Sequence, residues 1–196
     1  MKILKLILVI FTSFLLNNIS LAKDPGELIN SIVNEASLVL KSSDPVESKI
    51  IKLNNIAERS VDINGIGMYA LGKHKKTISE DQKTKYNKLF RSYFLKSFSS
   101  RLVDYTDPKI NVVSQKKINK KYTIVNSILE ATSKRPQVKI DWRIYTKNPD
   151  KPLIRDLIVE GLSLARTQKE EFNSVIQNND GDLNALFKTL EEFLIK

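Results

Sequence analysis

Hydrophobic positions recur every three or four residues in the first half of the chain and every second residue in its middle. Helical spacing begins after Asp24-Pro25, resumes after Asp44-Pro45 and is strongest from Ser79 to Leu102. The clearest strand pattern alternates apolar with polar side chains over residues 138–145. The helical period then returns and continues to the end of the chain. Helices, then consecutive strands, then helices again predict an α+β fold with segregated layers.

The middle of the chain predicts a mainly antiparallel sheet of four strands. Lys116 to Lys121 is expected to form a polar turn between the first two strands. No linker or repeat divides the pattern, so residues 23–196 are expected to form one domain. The predicted strands are Ile110–Val113, Tyr122–Leu129, Val138–Tyr145 and Leu153–Val159.

The first 22 residues have the layout of a secretory signal peptide. Lys2 and Lys5 precede a mainly apolar run from Leu6 to Leu16, and Ser20-Leu21-Ala22 supplies small residues at a cleavage site. The alternative is an uncleaved membrane anchor, but the run is shorter than the ~20 apolar residues that a spanning helix needs. We therefore expect residues 1–22 to be removed and the mature protein to be a soluble protein of the periplasm.

Composition narrows the chemistry that is open to the mature protein. The chain has 196 residues and a formal charge of +10, which falls to +8 for residues 23–196. It contains no cysteine and one histidine, His74, which excludes a disulfide scaffold, thiolate metal sites and thiol nucleophiles. We predict that the protein is not an enzyme. A histidine-based lipid hydrolase remains an alternative, and His74 is the only histidine that it could use.

Clusters of lysines and a pair of carboxylates are the candidate binding and catalytic groups of the chain. Lysines bracketing the first predicted hairpin favour transient contact with anionic membrane surfaces, although they could simply be solubilising. Binding of nucleic acid is not expected, because no aromatic residues interleave these lysines.

Asp156 and Glu160 would lie roughly 13 Å apart on a strand, which is too far for glycosidase chemistry. We expect Asp156 to pair with Arg143 or Arg155.

Several segments of the chain together form a recognisable pattern. They are Asp141-Trp142-Arg143, the run from Arg155 to Leu164 with its Asp156-(x)3-Glu160-Gly161-x-Ser163 core, Phe172, Val61-Asp62-Ile63, Ala70-Leu71-Gly72, Gln82 and the run from Phe90 to Phe94. This pattern resembles the MlaC family of periplasmic phospholipid-binding proteins, and in order and spacing the similarity extends from about Asp24 to Leu194. The resemblance implies a helical layer on a twisted sheet, with an apolar pocket for phospholipid acyl chains between them.

The resemblance also implies a carrier role. Phospholipid would be the cargo and no cofactor would be needed. The expected partners are an outer-membrane lipoprotein complex and an inner-membrane ABC transporter that bears an MCE-domain protein, so that the carrier would help to maintain lipid asymmetry. The alternative is a periplasmic adaptor that regulates an ABC transporter through protein contacts and carries no lipid.

The pocket lining is expected to come from one face of the sheet and from the helices opposite it. Alternation alone does not decide which face of the sheet meets lipid, and ordinary core packing is the alternative for each residue. The predicted lining residues are Met68, Leu71, Ile124, Ile128, Val138, Ile140, Trp142, Ile144, Leu162 and Ser163.

Overall fold

The computed structural model describes residues 23–105, 107–133 and 135–196. The predicted signal peptide lies outside these residues. Within the described ranges the α-helices are α1 (Pro25–Lys41), α2 (Val46–Ser60), α3 (Ile63–Ala70), α4 (Glu80–Leu102), α5 (Leu164–Gln177) and α6 (Leu183–Ile195), and a 3-10 helix (Gly72–Lys76) follows α3. The strands are β1 (Ile110–Asn119), β2 (Tyr122–Leu129), β3 (Val138–Tyr145), β4 (Leu153–Val159) and β5 (Leu162–Ser163).

The strands form one antiparallel sheet in the order β1-β2-β3-β4-β5. The predicted α+β class is therefore confirmed, but the sheet has five strands rather than four. The extra strand arises because Glu160 and Gly161 adopt φ angles of 49° and 83°, which turn the chain back so that Leu162 pairs with Val159. Two successive residues with positive φ are typical of a tight hairpin turn.

The first hairpin is also longer than the sequence pattern predicted. The expected turn from Lys116 to Lys121 is wrong, because β1 continues to Asn119 and only Lys120-Lys121 separates it from β2. The backbone ladder between two strands does not depend on the polarity of exposed side chains. A run of lysines can therefore extend an edge strand as readily as it can form a loop.

Side chains cap the first turns of α1 and α4. The Asp24 carboxylate accepts a hydrogen bond from the backbone N–H of Glu27 at 3.0 Å and caps α1. Ser79 and Gln82 form a complete capping box at the start of α4. Each cap satisfies backbone donors that a helix leaves free in its first turn.

The strand register assigns side chains to two faces of the sheet. Trp142 of β3 lies opposite Val125 of β2 and Leu157 of β4, and this face turns toward α1. We call it the inner face. Ile124 lies opposite Arg143 and belongs to the other side, the outer face.

The buried apolar residues form three clusters, which are connected through the partly buried side chains of Val61 and Ile32. The largest joins α3, α4, α5 and α6 around Tyr86, Phe90 and Phe172. A second packs Ile29 of α1 against the inner face of the sheet, and a third lies between α1 and α2, around Leu53. None of the helices in the described ranges is long and apolar enough to cross a membrane.

Candidate ligand-binding surfaces

The inner face of the sheet is apolar but only partly packed. At one end Ile29 of α1 covers Ile144, which is fully buried. Farther along the strands, the inner face continues through apolar side chains that belong to none of the three clusters: Leu129, Val138, Ile140, Leu157 and Val159. Val138, Leu157 and Val159 are only half-buried. This second region, which we call the open inner surface, offers apolar area to a ligand.

Trp142 lies at the boundary between the packed and the open parts of the inner face. Its indole N–H donates a hydrogen bond to the Ser127 hydroxyl at 2.9 Å. That hydroxyl donates in turn to the backbone carbonyl of Ile140 at 3.0 Å. Since the only polar atom of the side chain is satisfied inside the sheet, the half-buried ring presents an apolar surface.

The outer face carries a pocket of a different character. It has a volume of about 430 Å³ and lies between the strands and the first turns of α3 and α5. Its walls combine apolar, phenolic and charged groups, supplied by Gly65, Tyr69, Ile118, Asn119, Tyr122, Ile124, Arg143, Arg155, Asp156 and Ala165. A shallower groove of about 360 Å³ on the same face is lined in part by Ile128 and Lys139.

Asp156 is a buried carboxylate beneath the outer pocket. It accepts hydrogen bonds from the Ser163 hydroxyl at 2.7 Å and from the backbone N–H of Ala165 at 3.0 Å. Its third partner is the Arg143 guanidinium, at 3.3 Å. This confirms the expected pairing of Asp156 with one of the two arginines. The carboxylate therefore joins β3, β4 and the start of α5.

Arg155 forms a second compensated charge on the outer side. Its Nε–H donates a hydrogen bond to the Asp62 carboxylate at 2.6 Å, and Nη1 donates one to the Tyr122 hydroxyl at 3.1 Å. Nη2 forms an ion pair with the same Asp62 oxygen at 2.6 Å. Partial burial lowers the pKa of Arg155, but the hydrogen bonds to Tyr122 and Asp62 outweigh burial and raise it overall. The guanidinium also stacks over the Tyr145 ring at 3.8 Å. Because Asp62 caps α3 as well, this pair ties α3 to β4.

The predicted lining residues from the strands lie on both faces of the sheet. Val138, Ile140, Trp142 and Ile144 share the inner face, although Ile144 lies in the closed part. Ile124 and Ile128 point to the outer face, because the register places them opposite Arg143 and Lys139. These six side chains therefore cannot line a single surface.

The predicted lining residues outside the four main strands have other roles in the fold. Leu71 is 1% exposed and, with Met68 packed beside it, belongs to the helical cluster. Leu162 is 59% exposed. The Ser163 hydroxyl accepts from the Arg166 backbone N–H and so caps α5 while it donates to Asp156.

Sequence reasoning did not select three residues of the open inner surface, Leu129, Leu157 and Val159. Leu129 lies opposite Val138 of β3, and the pairing of β4 with β3 sets Leu157 and Val159 opposite Trp142 and Ile140. The β4 sequence does not indicate which of its residues face inward, because its last three residues, 157–159, are all apolar. In the described part of the chain, no group of acidic or histidine side chains could hold a metal ion.

The fold and these surfaces define a class of protein, an α+β fold whose sheet has one apolar face incompletely covered by helices. Comparison with protein families gives a more specific result. The family model described as MlaC protein matches residues 30–192, and the chain belongs to the MlaC family. This confirms the family suggested by the sequence motifs.

A solved structure shares the fold. The phospholipid-binding protein from Ralstonia solanacearum, determined in complex with a phospholipid, superposes with a TM-score of 0.75 and 18% sequence identity. The match covers 88% of this chain and 98% of the other. No curated protein matches the sequence.

Proposed function

We propose that the protein binds phospholipid through its acyl chains and that the chains lie on the open inner surface. The observation that carries the proposal is the set of half-buried apolar side chains at Val138, Trp142, Leu157 and Val159, which share the inner face of the sheet. Membership of the MlaC family supports the proposal, as does the fold shared with a phospholipid-binding protein.

A physical argument explains why such a surface suits a carrier. Two acyl tails of about 15 methylenes each, at roughly 0.8 kcal/mol per methylene, cost on the order of 20 kcal/mol to expose to water. A carrier must therefore shield both tails, and it must release them where another apolar environment receives them. The protein needs only apolar area and a stable frame for this task.

The wider role follows from the same proposal. The protein would carry lipid unchanged across the periplasm, after removal of residues 1–22, and so contribute to lipid asymmetry. Its partners would be an outer-membrane lipoprotein complex and an inner-membrane ABC transporter with an MCE-domain protein. The ion pairs of Arg155 with Asp62 and of Arg143 with Asp156 serve the fold in this scheme, since each ties secondary-structure elements together. No catalytic step is assigned to them.

The direct test is to purify residues 23–196 without detergent and to examine the protein by native mass spectrometry with lipid extraction. We expect phospholipid to copurify, or to transfer from vesicles to the delipidated protein. A protein that contains no phospholipid and acquires none would contradict the proposal and would favour the adaptor alternative.

Two matched substitutions test which face binds the tails. Val159→Glu places a charge on the open inner surface, and Ile124→Glu places the same charge on the outer face. A buried charge beside acyl chains is strongly unfavourable, so Val159→Glu should abolish lipid loading while Ile124→Glu retains it. Circular dichroism and thermal unfolding check that both variants fold. Loss of loading in Ile124→Glu alone would assign the lipid to the outer face instead.

A further inference from the structure

One end of the sheet carries an unusual concentration of positive charge. It consists of the start of the mature chain, the β1–β2 turn with the end of β1, and the loop between β3 and β4, and we call these segments together the basic end. Their acidic residues are Asp24 and Asp150. The same segments contain seven lysines: Lys23, Lys116, Lys117, Lys120, Lys121, Lys147 and Lys151.

Backbone hydrogen bonds hold these segments side by side. The N–H of Thr146 donates to the carbonyl of Lys121 at 2.8 Å, which joins the β3–β4 loop to the β1–β2 turn. The N–H of Lys23 donates to the carbonyl of Pro149 at 3.1 Å, which adds the start of the mature chain. The lysines therefore lie on segments that are hydrogen-bonded to one another at one end of the sheet.

Within the described ranges, no ion pair joins the ammonium groups of the basic end to an acidic side chain. All seven lysines are exposed. Several lysines elsewhere do form such pairs, as Lys41 does with Asp107 at 2.8 Å and Lys85 with Glu191 at 3.0 Å. Asp24 is engaged by the side-chain amide of Gln115 at 2.6 Å and caps α1. The basic end thus leaves an uncompensated positive field toward the solvent.

An apolar residue lies among these lysines. Ile118 is the extra residue of a β-bulge between Lys117 and Asn119, and it is 52% exposed. Exposed lysines around an apolar side chain suit the interface of an anionic bilayer, where the charges meet headgroups and the apolar group enters the boundary layer. We propose that the basic end is a docking surface for the anionic surface of a lipid bilayer. The proposal is independent of the cargo site, because docking requires no bound lipid.

Vesicle cosedimentation of residues 23–196 tests this docking directly. The protein should bind vesicles that contain phosphatidylglycerol and not vesicles of phosphatidylcholine alone. Raising NaCl from about 0.1 M to about 1 M shortens the Debye length from ~10 Å to ~3 Å and should release it. A basic residue near such a surface contributes about fivefold in affinity, so the K117Q/K120Q/K121Q variant should bind about 100-fold more weakly.

A control with the same change in net charge separates a local site from general attraction. K73Q/K75Q/K76Q removes three exposed lysines from the 3-10 helix and should bind vesicles almost as well as the unaltered protein. Ile118→Asn should weaken binding to vesicles but not to soluble polyaspartate. Equal losses in the two lysine variants would overturn the proposal. So would binding of polyaspartate without binding of vesicles, which would indicate an acidic macromolecule as the partner.

Discussion

Asp156 shows how a single buried side chain organises the region where sheet and helices meet. The residue is 3% exposed. The carboxylate contacts the Arg143 guanidinium, the Ser163 hydroxyl and a backbone N–H at the start of α5, and so holds these three groups together. A carboxylate suits this place because it accepts several hydrogen bonds and carries the charge that the Arg143 guanidinium and the helix dipole favour. The motif from Asp156 to Ser163 therefore has a structural role, because it connects the sheet to the start of α5.

We expect Asp156→Ala to lower the free energy of unfolding by about 3 kcal/mol, since the buried Ala165 N–H and the Ser163 hydroxyl lose their acceptor. The Arg143 side chain is 43% exposed, so loss of its ion pair adds little. Urea denaturation measures this loss. Asp107→Ala, which removes an exposed ion pair with Lys41, is the matched control and should cost at most ~1 kcal/mol. Equal, small losses in the two variants would show that the buried contacts of Asp156 contribute little.

At the scale of secondary-structure elements, periodicity predicted the helices and the four long strands, but it could not predict which way each strand faces. β2 has apolar residues on both sides, with Ile124 and Ile128 on one and Val125 and Leu129 on the other. Its orientation is fixed by pairing with β1, where bulges shift the register, and with β3, where the register is unbroken. For this reason the predicted site mixed residues of two faces.

The first helix is fastened to the sheet by a polar clamp. Gln115 of β1 accepts a hydrogen bond from the Gly26 N–H at 3.0 Å and donates to the Asp24 carboxylate. The bond from Gln115, followed by that from the Glu27 N–H, holds the pKa of Asp24 below its ordinary value of 3.8. Because the folded protein favours the charged form, this contribution is complete above pH 3.8 and is lost as the pH falls through the lower folded pKa.

Two substitutions at Asp24 separate capping from charge. Asp24→Ala should reduce stability by about 1 kcal/mol at neutral pH, because α1 loses its N-cap. Asp24→Asn keeps a capping oxygen but loses the charged form that the folded protein favours, so its stability at neutral pH should lie between that of Asp24→Ala and that of the unaltered protein, with a shallower decline in acid. Urea denaturation at several pH values measures both effects. Equal stability of the two variants at neutral pH would contradict the capping role.

At the scale of the whole molecule, the incomplete cover of the inner face is the feature most closely connected with the proposed function. A protein that only needed stability would gain by burying this face, since buried apolar area is its main source of stability. Here Val138, Trp142, Leu157 and Val159 remain half-buried. In our account, the acyl chains of a phospholipid cover this face.

Trp142 provides the most direct measurement, because it is the only tryptophan in the chain and lies on the inner face. The delipidated protein is loaded with phospholipid brominated in its acyl chains, or with the unbrominated lipid, and its fluorescence is compared at equal, independently measured loading. The W142F/I124W variant moves the probe to the outer face and is the control. The account predicts strong quenching by the brominated lipid in the unaltered protein and little in the control. Equal fluorescence with both lipids, or quenching confined to the control, would contradict it.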